Sequence, residues 1–248
     1  MRTSAPKDPH EIRIADHFNG PPGMGQGGYS AGLLAQQFQG PVRVTLRKPI
    51  PLERDLQITH SQDGKAVLLD GEVVIAEAEP ATLNFETLPA PGWEAAVRAA
   101  ASYPGFTLHP YPTCFCCGHL RGEGDGLRIF PAPLGERQPW AAPWEPYSSL
   151  GDEEGIIPAE IIWAALDCPS GWSAVSLRGS ALPEGGLLVT GQLSVEIMTP
   201  VHTDRRYITQ GWVMEVQGRK ITTASALYDD RGQCVARGQA LWIVITPK

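Results

Sequence analysis

The 248-residue sequence predicts an α+β chain made of two similar halves, each a helix followed by antiparallel strands. Three observations lead to this prediction. A helix-like segment beginning in small residues occurs in each half, and runs of alternating apolar and polar residues follow it. The chain also has 27 glycines and 23 prolines with 42% hydrophobic residues, a composition typical of a globular protein with many turns.

In the first half, a glycine-rich loop at 23–28 leads into a helix-like segment at 27–38. Apolar and polar residues then alternate in strand-like runs at 42–49, 56–61, 66–76 and 81–85. The pair Asp63-Gly64 lies between the second and third runs and is typical of a hairpin turn. These residues predict an antiparallel meander directly after the first helix.

The second half repeats this order of elements. A helix-like segment at 157–167 precedes strand-like runs at 171–178, 187–198, 206–216, 220–229 and 234–245. In both halves one strand ends at a proline, Pro49 or Pro200, and a polar turn and a long hairpin follow it. The shared order favours an internal duplication, and chance similarity between two β meanders is the alternative.

The predicted domain organisation is a first repeat at 1–88, a structured linker at 89–155 and a second repeat at 156–248. The linker has a short alanine-rich helix near 93–101, and then a passage rich in proline, glycine and tryptophan. Because this connection is much longer than ordinary loops, we expect it to pack across a face of the duplicated core.

Composition excludes several classes of protein. The net charge of −7 comes without any run of lysine and arginine, so we expect no nucleic-acid partner. No stretch approaches the roughly 20 apolar residues of a membrane span. Three of the five cysteines crowd together at 114–117, which is not the spacing of a secreted disulfide framework. We therefore expect a cytoplasmic protein with reduced thiols and no membrane contact.

Several segments resemble those of a known family. In the second half, residues 158–167, 189–201 and 232–238 resemble the small-residue helix start, the helical acid, and the closing turn and last strand of phenylacetyl-CoA-type thioesterases. Residues 114–118, 126–129 and 165–169 resemble a set that recurs in uncharacterised bacterial hot-dog proteins. The chain thus looks like a double hot-dog protein of the acyl-CoA thioesterase-like superfamily.

This resemblance implies that an antiparallel sheet wraps a central helix in each half, and that the two halves hold an acyl-CoA between them. Hydrolysis of an acyl thioester is the implied activity, with a non-catalytic acyl-CoA-binding or regulatory module, or an enoyl-thioester hydratase, as alternatives. The expected partner is acyl-CoA or a similar thioester. We also expect a homo-oligomer, a dimer of double hot-dogs, and no cofactor.

The candidate catalytic residues lie on the two predicted helices. The unpaired N–H groups at Gly27 and Gly28 would stabilise the oxyanion that forms from a thioester carbonyl. Asp167 is the helical acid that would activate water, and Glu160, seven residues earlier, lies on roughly the same helix face. The alternative roles are structural: a helix cap for the glycines, a favourable dipole interaction for Glu160 and a helix end at Asp167.

In related paired enzymes the acid lies about eight residues after the small residue of its own helix. Counting eight residues from Gly28 reaches Gln36, which cannot act as a base, and counting back from Asp167 reaches Ala159. The neighbouring Pro158 has no N–H to donate. The resemblance therefore implies one working site, which combines the first helix start with Asp167, and an inactive mirror site.

Four residues are candidates for substrate binding: Gln26, Arg47, Trp163 and Arg205. Gln26 lies in the glycine-rich loop, and Trp163 on the second helix could line an acyl pocket, although tryptophans in apolar segments more often pack in the core. The arginines lie at strand ends, where they could hold the phosphates of CoA or could remain solvated surface charges.

The linker contains five potential zinc ligands: His109, Cys114, Cys116, Cys117 and His119. A Cys-x-x-Cys pair followed by glycine is a common half of a zinc site. The sequence has no second Cys-x-x-Cys and no His pair to complete it, so we expect a turn of reduced, partly buried cysteines with no metal. Cys168, next to Asp167, is a candidate nucleophile, but burial as a small apolar side chain is the commoner role.

Overall fold

The computed structural model describes residues 10–136 and 139–246. The strands in these ranges are β1 (His10–Arg13), β2 (Val42–Leu46), β3 (Asp55–His60), β4 (Ala66–Asp70), β5 (Val73–Pro80), β6 (Ala132–Pro133), β7 (Trp140–Trp144), β8 (Leu187–Ile197), β9 (Tyr207–Gln217), β10 (Lys220–Tyr228) and β11 (Cys234–Ile245). The α-helices are α1 (Gly27–Ala35), α2 (Trp93–Ala100), α3 (Gly105–Leu108) and α4 (Ala159–Ala174).

All these strands form a single antiparallel sheet with the order β1-β3-β4-β5-β2-β8-β11-β10-β9-β7-β6. Its two halves have the same connectivity, because β2-β5-β4-β3 in the first half matches β8-β11-β10-β9 in the second. In the first half β1 extends the outer edge, and in the second half β7 and then β6 do so; these strands precede the helix of their half. The halves join where β2 pairs with β8, from Val42 opposite Val195 to Thr45 opposite Gln192.

The strands of the first half show why this sequence forms a half-buried sheet. In β3 the side chains of Leu56 and Ile58 are fully buried, whereas the intervening Gln57 is exposed. In β2, Val42 and Val44 are likewise buried on one face. Successive strand residues point to opposite faces, so this alternation places one apolar face of the sheet against the core.

Helix α4 lies at the centre of the molecule, and every residue from Ile161 to Ala174 is buried. The strand predicted at 171–178 is wrong, because α4 continues through Pro169 to Ala174. A helix buried on all sides has no polar face and thus no helical period in its sequence. Inside it, the hydroxyl of Ser170 donates to the carbonyl of Asp167 at 2.7 Å.

Helix α1 packs antiparallel against α4, with Gly28 beside Ala164 and Asp167 and Gly32 beside Glu160. A Cβ atom on Gly28 would lie 2.6 Å from the carbonyl oxygen of Trp163 and 2.6 Å from Cβ of Asp167. Only glycine therefore permits this approach, which brings the N-terminus of α1 directly onto the middle of α4.

Other predicted segments differ in detail. The run predicted at 66–76 is a hairpin of β4 and β5, and 81–85 is not a strand. The predicted linker contributes β7 to the sheet of the second half, where it pairs with β9. The domain bounds themselves stay a prediction. Of the helices in the described ranges, none combines the length and the apolar character needed to cross a membrane.

Candidate active site

A cavity of about 610 Å³ opens between the two halves. Its walls come from the loop before α1, the end of β2, the linker around 108–117, the second half of α4, and strands β8 and β11. Two tryptophans of the second half, Trp172 and Trp242, line it together with Leu188 and Ile243. Largely apolar cavities of this size are typical of small-molecule binding sites.

The carboxylate of Asp167 lies at the wall of this cavity and receives three hydrogen bonds. Its Oδ2 atom accepts from Nε2 of Gln26 at 2.6 Å and from the backbone N–H of Gly28 at 3.0 Å. Its Oδ1 atom accepts from the hydroxyl of Thr190 at 3.1 Å. Asp167 is only 2% exposed. Residues of both halves thus hold a single buried carboxylate.

Burial determines the protonation behaviour of Asp167. The low-dielectric surroundings disfavour the charged form and raise the pKa of Asp167 to about 7, although hydrogen bonds from Gly28, Thr190 and Gln26 act in the opposite direction. A carboxyl group with such a pKa is common at functional sites.

At the start of α1, the side chain of Gln26 and the backbone N–H groups of Gly27 and Gly28 have different surroundings. Gln26 is the N-cap residue, and its Oε1 atom accepts from the N–H of Tyr29 at 2.6 Å while its Nε2 binds Asp167. The predicted role of Gly28 needs correction, because its N–H is taken by Asp167 and does not point free into the cavity. Gly27 lines the cavity, and within the described ranges its N–H has no hydrogen-bond partner.

Two predicted residues on α4 lie away from the cavity. Glu160 is at the other end of the helix pair, where its Oε2 atom accepts from Nε2 of Gln36 at 2.7 Å. Trp163 is 3% exposed, packs beside Gly32 and does not line the cavity. The structure thus separates Glu160 and Trp163 from Asp167. Trp163 packs in the core, which was the alternative to a place in the acyl pocket.

The two predicted arginines have different positions. Arg47 lies at the rim of the cavity, where it forms an ion pair with Glu77. Arg205 lies in a separate surface depression beside Glu145 and is not near Asp167. The rim carries two further cations, Lys48 and Arg178, which have no ion-pair partner among the residues described.

Sequence reasoning missed Thr190 and treated Trp172 and Trp242 as core residues. Nothing in the strand pattern distinguishes Thr190 from other polar strand residues, since its importance comes from the packing of β8 beside α4. Both tryptophans are mainly buried, as core residues are, and they also line the cavity.

The cysteines have a different arrangement from the expected linker turn. Cys114 and Cys117 meet Cys168 of α4, and their three sulfur atoms lie within 4.8 Å of one another. The expectation of no metal rested on the lack of further ligands in the linker sequence. The fold supplies a further ligand, Cys168, so this premise is wrong. The side chain of Cys116 also contacts Cys168, but its sulfur is not part of the group in which all sulfur atoms lie within 4.8 Å of one another.

Comparison with solved structures identifies the fold. The chain is similar to a tesB protein from Mycobacterium avium subsp. paratuberculosis, with a TM-score of 0.64, 12% identity and coverage of 96% of this chain and 93% of that one. It is also similar to the acyl-CoA thioesterase II TesB2 from Mycobacterium marinum (TM-score 0.60, 11% identity, coverage 97% and 94%). A hot-dog protein of unknown function from Alicyclobacillus acidocaldarius matches with a TM-score of 0.57, 10% identity and coverage of 97% and 94%.

A scan against protein-family models and a search of curated proteins find no match. The structural similarities extend over almost the whole of each chain, so the fold is a double hot-dog of the α+β class, as the sequence resemblance implied.

Proposed function

We propose that this protein hydrolyses acyl thioesters, with Asp167 as the base that activates water. The observation that carries the proposal is the buried Asp167 carboxylate, held by donors from both halves at the wall of an apolar cavity. A carboxylate offers about four lone-pair positions, and the three donors leave one of them, on Oδ1, for a water molecule.

The cavity and its rim fit the two parts of an acyl-CoA. Trp172, Trp242 and Ile243 provide apolar surface for an acyl or aryl group. Lys48 and Arg178 at the rim provide positive charge for the phosphates of the CoA part. The two similar mycobacterial structures are named as a tesB protein and an acyl-CoA thioesterase II, which agrees with this choice of substrate class.

The reaction follows from the positions of these groups. The thioester carbonyl accepts a hydrogen bond from the N–H of Gly27, whose place at the start of α1 favours negative charge. Asp167 removes a proton from the bound water, and the water oxygen forms a bond to the carbonyl carbon. When the tetrahedral intermediate collapses, the carbon–sulfur bond breaks and Asp167 returns the proton to the leaving thiolate.

The test is release of free thiol from a panel of acyl-CoAs with short, medium and aryl acyl groups, together with calorimetric titration of the same compounds. We expect saturable thiol release for at least one of them. Tight binding without thiol release from any member would contradict hydrolysis and would support the alternative, a non-catalytic acyl-CoA-binding module.

A further inference from the structure

Three cysteine side chains from two distant parts of the sequence converge at one wall of the cavity. The sulfur atoms of Cys114, Cys117 and Cys168 lie within 4.8 Å of one another, and those of Cys114 and Cys168 are 3.9 Å apart. Sulfur atoms that share one tetrahedral Zn²⁺ at about 2.3 Å lie about 3.8 Å apart. A disulfide needs about 2.0 Å. The observed spacing fits a shared metal ion.

Each sulfur atom is met by N–H donors. That of Cys114 accepts from two backbone N–H groups of its own turn. The sulfur of Cys117 accepts from Nε1 of Trp172 at 3.4 Å, and Nε2 of Gln26 lies 3.7 Å from the sulfur of Cys168. N–H donors directed at sulfur are the kind of outer contact that orients cysteine ligands around a metal ion.

His109 contributes a donor rather than a ligand. Its Nε2 atom lies 3.2 Å from the sulfur of Cys117, and its Nδ1 atom accepts from the N–H of Tyr111 at 2.9 Å. Because Nδ1 is an acceptor, the proton of the neutral ring is on Nε2 and points to Cys117. The ligand set is therefore three sulfur atoms, with His109 in the supporting role that outer groups have around metal ligands.

The turn that carries two of the ligands is tightly constrained. The N–H of Gly118 donates to the carbonyl of Cys114 at 2.8 Å, and the hydroxyl of Tyr103 donates to the carbonyl of Cys117 at 3.0 Å. A Cβ atom on Gly118 would lie 2.5 Å from the backbone nitrogen of Cys114, so this position requires glycine. The fold thus holds Cys114 and Cys117 in place beside the third sulfur on α4.

We propose that Cys114, Cys117 and Cys168 bind one Zn²⁺ as thiolates, with the fourth position open to the cavity and occupied by water. A bound metal ion deprotonates the thiols that coordinate it, and thiolate ligands select soft ions such as Zn²⁺. All three cysteines line the cavity, and three protein ligands with one open position are typical of a non-structural zinc site.

The proposal reverses the expectation of a metal-free protein, since α4 supplies the ligand that the linker sequence lacks. The site also adjoins the carboxylate, because the amide of Gln26 that binds Asp167 reaches the sulfur of Cys168. The zinc proposal does not depend on thioester hydrolysis.

The test measures metal in the full-length protein purified under reducing conditions. We expect one zinc per chain in the wild type and in Cys234→Ser, the matched control, because Cys234 lies outside the cluster. Zinc should be lost in Cys114→Ser and in Cys168→Ser. His109→Gln should keep the metal, since a glutamine amide can also donate to sulfur.

Replacement of the metal by Co²⁺ in the wild type tests the ligands without any variant. We expect the intense near-ultraviolet absorption that thiolate-to-cobalt charge transfer produces, and a change in the visible bands when a small thiol fills the open position. A wild type that binds neither zinc nor cobalt would overturn the proposal. Full zinc content in Cys168→Ser would overturn the ligand set, and loss of zinc in His109→Gln would overturn the open fourth position.

Discussion

Replacement of Asp167 by asparagine should remove the buried carboxylate and leave the hydrogen bonds around it in place. Asparagine has the same shape, so its Oδ1 atom can accept from Gln26 and Gly28 as the carboxylate does. Its amide group then faces Thr190, whose hydroxyl can accept instead of donating. The three contacts are retained, and a neutral group takes the place of a buried carboxylate. We therefore expect the melting temperature to be unchanged or higher.

The same replacement removes the proposed base. Loss of a general base typically lowers the rate by about 10²–10⁴-fold, which corresponds to about 3–5 kcal/mol in the activation free energy. The assay is thiol release from the best acyl-CoA, with kcat and KM measured separately and thermal unfolding of each variant beside them. Glu160→Gln is the matched control, because this carboxylate is on the same helix but outside the cavity. Wild-type kcat in Asp167→Asn would refute the assigned role.

Three further changes test the surroundings of the site. Thr190→Val keeps the shape of the side chain and removes one donor to the carboxylate, so kcat should fall by roughly tenfold, about 1.4 kcal/mol; an unchanged kcat would show that the hydroxyl is dispensable. Gly28→Ala places a methyl group into α4 and should lower the free energy of unfolding by roughly 1–3 kcal/mol in urea titrations. Gly122→Ala should not, because a Cβ atom there meets no atom within 4 Å. Arg178→Ala should raise KM for acyl-CoA several-fold at low salt, whereas Arg205→Ala should leave KM unchanged. Equal effects of the two replacements would contradict a phosphate site at the cavity rim.

The order of elements could be predicted from the sequence because strand alternation and turn residues are local signals. The pattern predicts the last strand at 234–245, which are the bounds of β11. The end of α4 could not be predicted, because Pro169 is a local signal to stop and the helix has no polar face to indicate that it continues. Here packing on all sides overrides the preference of a single residue.

The candidate site was only partly predictable for a related reason. Gly28 and Asp167 come together as the resemblance implied, whereas Glu160 does not join them. Gln26, which was predicted to bind substrate, binds Asp167 instead. Seven residues of helix bring two side chains to one face but separate them by about 10 Å along the axis. The start of α1 lies beside Asp167, and its other end lies beside Glu160. The contacts of Thr190 depend on strand packing, which no local pattern in the sequence encodes.

The hydrogen bond between Gln36 and Glu160 has a consequence for how the protein responds to substrate concentration. In a dimer of identical subunits a two-fold axis makes both ends of a helix pair equivalent. Within one chain the ends are free to differ, and here one end holds a buried acid while the other holds an exposed amide–carboxylate pair. Under the proposed function, one equivalent of acyl-CoA should saturate each chain, and sigmoidal equilibrium binding would require contact between separate molecules.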